Sequence, residues 1–187
     1  VVKLIYAIAI EVWLEKDLIV ESSEMRRALK NMISVSSNDA TSFIVDLLTG
    51  TCSGPSIIHR QWETWKSQRG LVNKWLQTLA WDELKGINCC QKTWSDNPYG
   101  REKDFYGNRN ENRNSLSTAA TARIFEALMT YKFVPTKAAE RIKKCLFRPL
   151  DLIERKNNPE NQIDGFLGEG LPENTKLWSK AGLMSEA

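Results

Sequence analysis

Histidine is almost missing from this chain of 187 residues, since His59 is the only one. A Ser-His-Asp triad is therefore a poor match, because the loop that carries His59 has no nucleophile signature beside it. We interpret His59 as a surface or structural residue. The four cysteines, Cys52, Cys89, Cys90 and Cys145, form no C-x-x-C pair. A structural zinc site needs about four soft ligands at defined spacing, so we predict neither a metal centre nor another cofactor.

A disulfide between Cys89 and Cys90 is disfavoured, because adjacent cysteines have a poor geometry for bridging one another. We expect buried free thiols, with a disulfide partner for Cys52 or Cys145 as the alternative. Long apolar runs are also lacking, and none approaches the ~20 residues that a membrane span needs. Proline and glycine are sparse, at 6 and 10, while 42% of residues are hydrophobic, which excludes a disordered chain.

An excess of charge of one sign is missing too. The chain has 26 Lys+Arg and 23 Asp+Glu residues, which are interspersed, for a net charge of +3. Composition therefore provides no case for nucleic acid as a partner. The densest basic cluster follows one helix face loosely and is interrupted by Glu140 and Asp151, which indicates a solvated face. Its members are Lys137, Arg141, Lys143, Lys144 and Arg148.

The apolar residues that are present follow helical spacing through most of the chain. Residues 4–14 are apolar almost all round, apart from Glu11, and predict a buried helix. Ser22 opens a second helix, and Asn38 is predicted to cap a third that Gly50 ends. We predict further helices in a tryptophan-rich stretch at 62–79, at 119–131 and from Pro135 to Leu150. Pro149 is expected to kink or split the last of these. The tryptophans are interpreted as core packing. Residues 86–114 are predicted to be a long polar loop, either functional or of the Ω type.

The predicted helices are accompanied by only one convincing strand, at residues 175–180. A single strand does not form a stable sheet, so we expect its partners to lie outside this chain or in another molecule. The fold class is therefore α+β, and mostly α over these residues.

Three short motifs point to a chemistry when they are considered together. Lys3 lies at the start of the first buried helix, where partial desolvation would lower its pKa enough for general-base work. Ser36-Ser37-Asn38 stands at the start of a later helix. Lys180-Ala181-Gly182 follows the strand. Taken singly, each has a simpler interpretation: a solvated lysine, a helix cap and a turn at the end of a strand.

The order and context of these motifs resemble the class A-like β-lactamase family of penicillin-recognising serine hydrolases. That family carries S-x-x-K at the start of a buried helix, S-D-N at a later one and K-T-G on a late strand. Residues 1–4 match the positions directly after the serine of S-x-x-K. Residues 113–122 look like the family's loop-to-helix junction, and Gly170-Leu171-Pro172 upstream of Lys180 is also typical.

The resemblance covers essentially the whole chain and implies an α/β fold with an antiparallel sheet built from both termini. Residues 1–187 would then be the helical middle of a larger domain with an incomplete sheet. We expect the nucleophilic serine directly before Val1, so that the 187 residues alone are inactive. The resemblance also implies a β-lactam or peptidoglycan-like substrate, no cofactor, a monomeric full-length protein and a periplasmic or extracellular location.

The resemblance assigns roles residue by residue. Lys3 would help to deprotonate the nucleophile, and Ser36 would relay a proton to the leaving nitrogen. Asn38 would hold the amide side chain of the substrate. Lys180 would contact the substrate carboxylate next to Ala181 and Gly182, and Leu183 would contribute a backbone N–H to the oxyanion hole.

The chain departs from the family pattern in three ways. Ala181 replaces the threonine of K-T-G, and the interval from Val2 to Ser36 is short. The Glu-x-x-Leu-Asn signature of the deacylating base is missing, although Glu102 and Glu111 lie in the right region. A peptidase-like or esterase-like activity is therefore open. So is a non-catalytic member of the same fold that serves as a binding or scaffolding protein.

Overall fold

The computed structural model describes residues 1–58, 60–158 and 160–182, which form a mostly helical fold with one small antiparallel sheet. The helices within these ranges are α1 (Val2–Glu15), α2 (Ser23–Ser34), α3 (Asn38–Thr49), α4 (Arg60–Arg69), α5 (Leu71–Thr78), α6 (Arg101–Tyr106), α7 (Thr118–Met129), α8 (Thr136–Leu146) and α9 (Leu152–Asn157). A single 3-10 turn covers Asp82–Leu84, and the strands are β1 (Phe147–Arg148) and β2 (Leu177–Trp178).

Helix α1 lies at the centre of the fold and is buried from Val2 to Trp13. It packs against α2, α3 and α8, which is the arrangement expected of a helix that is apolar on all sides. Its one carboxylate within that buried stretch, Glu11, forms ion pairs with Arg26 of α2 and Arg141 of α8. The charge that interrupts the apolar pattern therefore joins the two neighbouring helices.

The predicted caps are confirmed at two positions and wrong at a third. Ser22 caps α2 by accepting a hydrogen bond from the N–H of Met25 at 3.1 Å, and Gly50 ends α3 with a left-handed φ of 63°. The N-cap of α3 is Ser37, whose Oγ accepts from the N–H of Ala40 at 3.1 Å, and not Asn38. Both residues are good caps. Because Ser37 fills the position, the side chain of Asn38 is available for other contacts.

The tryptophan-rich stretch is helical as predicted and forms two helices, α4 and α5, because the chain breaks at Gly70. Trp65 and Trp75 are buried. Trp62 stacks on Trp65 with ring centroids 5.6 Å apart, and the interpretation as core packing is confirmed. The adjacent segment 86–114 is not wholly a loop, since it contains α6.

The prediction that the late strand has no partner in this chain is wrong. β2 pairs with β1 in an antiparallel register that places Phe147 opposite Trp178 and Arg148 opposite Leu177. The last long helix, predicted to continue to Leu150, ends at Leu146. The residue before a proline avoids the helical conformation, and Arg148 precedes Pro149. The extended residues thus released form β1.

All four cysteines are free. Cys89 and Cys90 are buried as expected, Cys145 is half-buried, and Cys52 is exposed, which is contrary to the expectation of a buried thiol. His59 lies outside the described residues. Within the described ranges no helix has both the length and the apolar character that crossing a membrane requires.

Ile8 provides a test of the central position of α1, because its side chain is fully buried. We expect Ile8→Ala to lower the free energy of unfolding by about 2–5 kcal/mol, through lost burial and the cavity left behind. Ile153, which is 71% exposed on α9, is the matched control, and Ile153→Ala is expected to cost less than about 0.5 kcal/mol. Urea unfolding monitored by circular dichroism measures both. Equal losses would contradict a core centred on α1.

Candidate active site

A cleft of about 570 Å³ opens where the start of α1, the turn between α2 and α3 and the segment after β2 meet. Lys3, Ser36, Asn38 and Lys180 all line it. Ala181 and Gly182 line it as well, whereas Leu183 lies outside the described residues. The structure therefore brings together the motif residues that sequence reasoning singled out, apart from Leu183, although they come from three distant parts of the chain.

The hydroxyl of Ser36 is the centre of this cleft. Its Oγ lies 3.1 Å from the Nζ of Lys3 and 3.0 Å from the Nζ of Lys180. Ser36 has a φ of 58°, a left-handed conformation that costs a non-glycine residue about 1–2 kcal/mol. Strained residues of this kind gather at functional sites, and here the strained turn presents the hydroxyl to both lysines.

Lys3 is 6% exposed, in the first turn of α1. Its Nζ donates to the backbone oxygen of Ser36 and to the Oδ1 of Asn38, at 2.8 Å from the latter. Burial lowers the pKa of Lys3 to about 8, because the charged form loses its hydration. Near physiological pH most of the amine is still protonated, but about a tenth to a fifth of it is neutral, and that neutral form can act as a general base.

Lys180 is 8% exposed. Besides Ser36, its Nζ donates to the Oε1 of Gln162 at 3.1 Å and to the backbone oxygen of Ala181 at 2.6 Å. Burial, with smaller contributions from the positive charges of Lys3 and Arg148, lowers its pKa to about 7. Since the two lysines face the same hydroxyl, each proton that one of them holds disfavours a proton on the other.

Asn38 is held in the cleft at both ends of its side-chain amide. Its Oδ1 accepts from Lys3 and from the Oγ1 of Thr93 at 2.8 Å, and its Nδ2 donates to the Oγ of Ser95 at 3.3 Å. The contact with Ser95 is exposed, so the Nδ2 is accessible to solvent. Sequence reasoning did not single out Thr93 or Ser95.

Hydrogen bonds with Asn114 hold the backbone directly before Thr93 and Trp94, which line the cleft. Asn114 Oδ1 accepts from the N–H groups of Cys90 and Gln91 at 3.0 and 2.9 Å, and its Nδ2 donates to the oxygen of Gln91 at 2.9 Å. The hydroxyl of Tyr6 in α1 donates to that same oxygen at 2.6 Å. The polar region at 86–114 is thus linked directly to the helix that carries Lys3.

Neither carboxylate suggested as a deacylating base lines the cleft. Glu102 is 1% exposed, and its Oε1 lies 2.6 Å from the Nη2 of Arg69 and 2.9 Å from the Oγ of Ser53, with Lys92 at 3.6 Å. Glu111 is exposed and accepts from the N–H of Arg109. Among the described residues, the acidic residue that lines the cleft is Glu160, which no sequence motif marked.

This arrangement suits proton transfer. The hydroxyl of Ser36 lies between two lysine amines whose pKa values are about 8 and about 7. Because these values are close, a proton can move from one lysine to the other through the hydroxyl at little cost in free energy. No group of histidine, cysteine and carboxylate side chains with metal-binding geometry occurs in the described ranges. Comparison with known proteins adds no relative, since no family model, no curated protein and no solved structure matches the chain.

Replacing Ser36 tests the strained turn. Ser36→Gly and Ser36→Ala both remove the hydroxyl, but only alanine keeps the left-handed strain, so the glycine variant is expected to be more stable by about 1 kcal/mol. At Ser42, inside α3, the order should reverse, because glycine weakens a helix by about 1 kcal/mol relative to alanine. Urea unfolding of the four variants measures this. An alanine variant at 36 that is as stable as the glycine variant would contradict the left-handed turn.

Glu102→Gln tests whether the carboxylate of Glu102 stabilises the fold. The substitution leaves the buried cations Arg69 and Lys92 without that carboxylate, and we expect a loss of about 3 kcal/mol in the free energy of unfolding. Glu111→Gln is the exposed control, with a loss below about 0.5 kcal/mol. If Glu102→Gln were as stable as the parent protein, the ion pairs of Glu102 would not stabilise the fold.

Proposed function

We propose that this chain belongs to a serine hydrolase with a β-lactamase/transpeptidase-like fold, which transfers the acyl group of a β-lactam or a D-alanyl-peptide-like amide to a serine. The observation that carries the proposal is the convergence of two buried lysine amines on one hydroxyl, 3.1 Å from Lys3 and 3.0 Å from Lys180. Ser36 is separated from Lys3 by 33 residues and from Lys180 by 144. A surface lysine or a spare capping serine has no reason to form such a contact.

The nucleophile in this proposal is a serine directly before Val1, one helical turn from Lys3. The neutral amine of Lys3 takes the proton of that serine as its oxygen attacks the substrate carbonyl. Ser36 then donates its hydroxyl proton to the leaving nitrogen and recovers a proton from one of the two lysines. The C–N bond of the amide breaks, and an ester to the enzyme forms.

The remaining residues of the cleft bind the substrate. The Nδ2 of Asn38 donates to the carbonyl of the substrate's amide side chain, and protonated Lys180 attracts a substrate carboxylate beside Ala181 and Gly182. The backbone N–H groups of Leu183 and of the nucleophile stabilise the negative oxygen of the tetrahedral intermediate. The proposal requires no cofactor and no nucleic acid, and it assigns a monomeric protein to a periplasmic or extracellular location.

Release of the acyl group is expected to be slow with penicillins. Glu102 is engaged with Arg69 and Glu111 is exposed, so neither is in position to activate water against an ester in the cleft. A long-lived acyl-enzyme is therefore the expected product. Faster turnover of peptides or simple esters is the form that a peptidase-like or esterase-like activity would take.

Covalent labelling by a fluorescent penicillin tests the proposal in a protein that carries serine directly before Val1. We expect one adduct by intact mass, and Lys3→Ala is expected to slow its formation by about 10²-fold or more, the usual contribution of a general base. Ser36→Ala and Lys180→Ala should also slow it. Lys176→Ala, at an exposed position directly before β2, is the matched control and should label normally.

The absence of any adduct, at every penicillin concentration and with circular dichroism showing a folded protein, would overturn the proposal. It would favour the non-catalytic alternative, a binding or scaffolding protein with the same fold. Labelling that persists when the serine before Val1 is changed to alanine would be equally damaging, because the adduct would then lie on a different residue.

A further inference from the structure

Gln162 connects the two sides of the cleft through both ends of its side-chain amide. Its Oε1 accepts from the Nζ of Lys180 at 3.1 Å, and its Nε2 donates to the backbone oxygen of Ser34, at the end of α2, at 2.7 Å. Its backbone is left-handed, with a φ of 54°. No sequence motif marked this residue.

These contacts form a closed ring of hydrogen bonds that includes Ser36. The hydroxyl of Ser36 contacts Lys180, Lys180 contacts the amide of Gln162, and that amide contacts the backbone oxygen of Ser34, two residues before Ser36. A lysine side chain has four rotatable bonds and loses considerable entropy when it is fixed. The backbone oxygen of Ala181 also accepts from the Nζ of Lys180, but that oxygen belongs to the next residue in the chain. Gln162 is the acceptor that links Lys180 to the end of α2, and it therefore restricts the positions that the Nζ can adopt beside Ser36.

The acceptor supplied by Gln162 is neutral, although the surroundings of Lys180 are mainly positive. Lys3 faces it from α1 and Arg148 from β1, and both lower its pKa. The carboxylate of Glu160 lines the same cleft from the segment that holds Gln162. A carboxylate in direct contact with Lys180 would favour the ammonium form strongly, whereas an amide orients the amine and adds no charge.

We propose that Gln162 is a positioning residue that holds the amine of Lys180 against the hydroxyl of Ser36 and does so without fixing its proton. This role for Gln162 rests on the proposed function and explains how Lys180, from the segment after β2, stays in contact with Ser36 in the α2–α3 turn. The experiments that test this role do not measure hydrolysis.

Gln162→Glu keeps the acceptor, removes the donor and adds a charge. The titration of Lys180 is followed by NMR of ¹³Cε-labelled lysine, with its signal assigned by the loss of that signal in Lys180→Arg. We expect the midpoint to rise by about one pH unit or more, as an opposite charge in contact produces. Gln77→Glu, at an exposed position on α5, is the control and should leave the midpoint unchanged.

Gln162→Met has similar length and removes both hydrogen bonds. Without the hydrogen bond to Gln162, we expect the amine of Lys180 to become more accessible to solvent. Its acetylation by trace acetic anhydride at pH 9 should then rise several-fold relative to that of exposed Lys176, as measured by mass spectrometry. Gln77→Met should not change the ratio. Circular dichroism verifies folding, and if one variant at 162 does not fold, the other decides alone.

An unmoved midpoint in Gln162→Glu, or an unchanged acetylation ratio in Gln162→Met, overturns the proposal for Gln162. Failure of the proposed function has a different signature, since penicillin labelling would then be absent while both changes at Lys180 still occur. The two proposals can therefore fail separately.

Discussion

The burial of α1 on all its faces is the constraint on which the rest of the structure depends. A helix that is apolar all round must be enclosed, and α2, α3 and α8 enclose this one. The enclosure extends to the first turn, so the amine of Lys3 is removed from water together with its apolar neighbours. The hydrophobic effect that stabilises the core is thus also the cause of the lowered pKa at the centre of the cleft.

A second constraint is that the three adjacent polar residues at the start of α3 make different contacts. Ser37 satisfies the helix end, which leaves Ser36 and Asn38 on either side of it to face the lysines. The cap keeps the turn in register with the helix. A run of three small polar residues therefore combines a structural and a chemical role without one of them having to perform both.

Sequence patterns predicted much of this fold for particular physical reasons. The all-apolar α1, the Ser22 cap and the Gly50 stop depend on local chemistry, and each is found as predicted. The motifs at Lys3, Ser36 and Lys180 were marked by residue type at defined positions, and the structure brings them within hydrogen-bond distance.

The parts that sequence patterns did not predict depend on contacts between distant segments. β1 is only two residues long and follows a helix, so no periodicity distinguishes it until its partner strand is known. Glu102 resembles a candidate base in sequence, but its role depends on Arg69, 33 residues away. Gln162 is ordinary by type, and only the positions of Ser34 and Lys180 give it significance.

The lowered pKa values of Lys3 and Lys180, about 8 and about 7, have a consequence for the proton content of the cleft. Near neutral pH the pair holds fewer than two protons, and an anion that enters raises the pKa of both amines. Binding of an anion and uptake of a fraction of a proton are then a single linked event. We therefore expect the two lysines to take up part of a proton when an anion binds in the cleft and to release it when the anion dissociates.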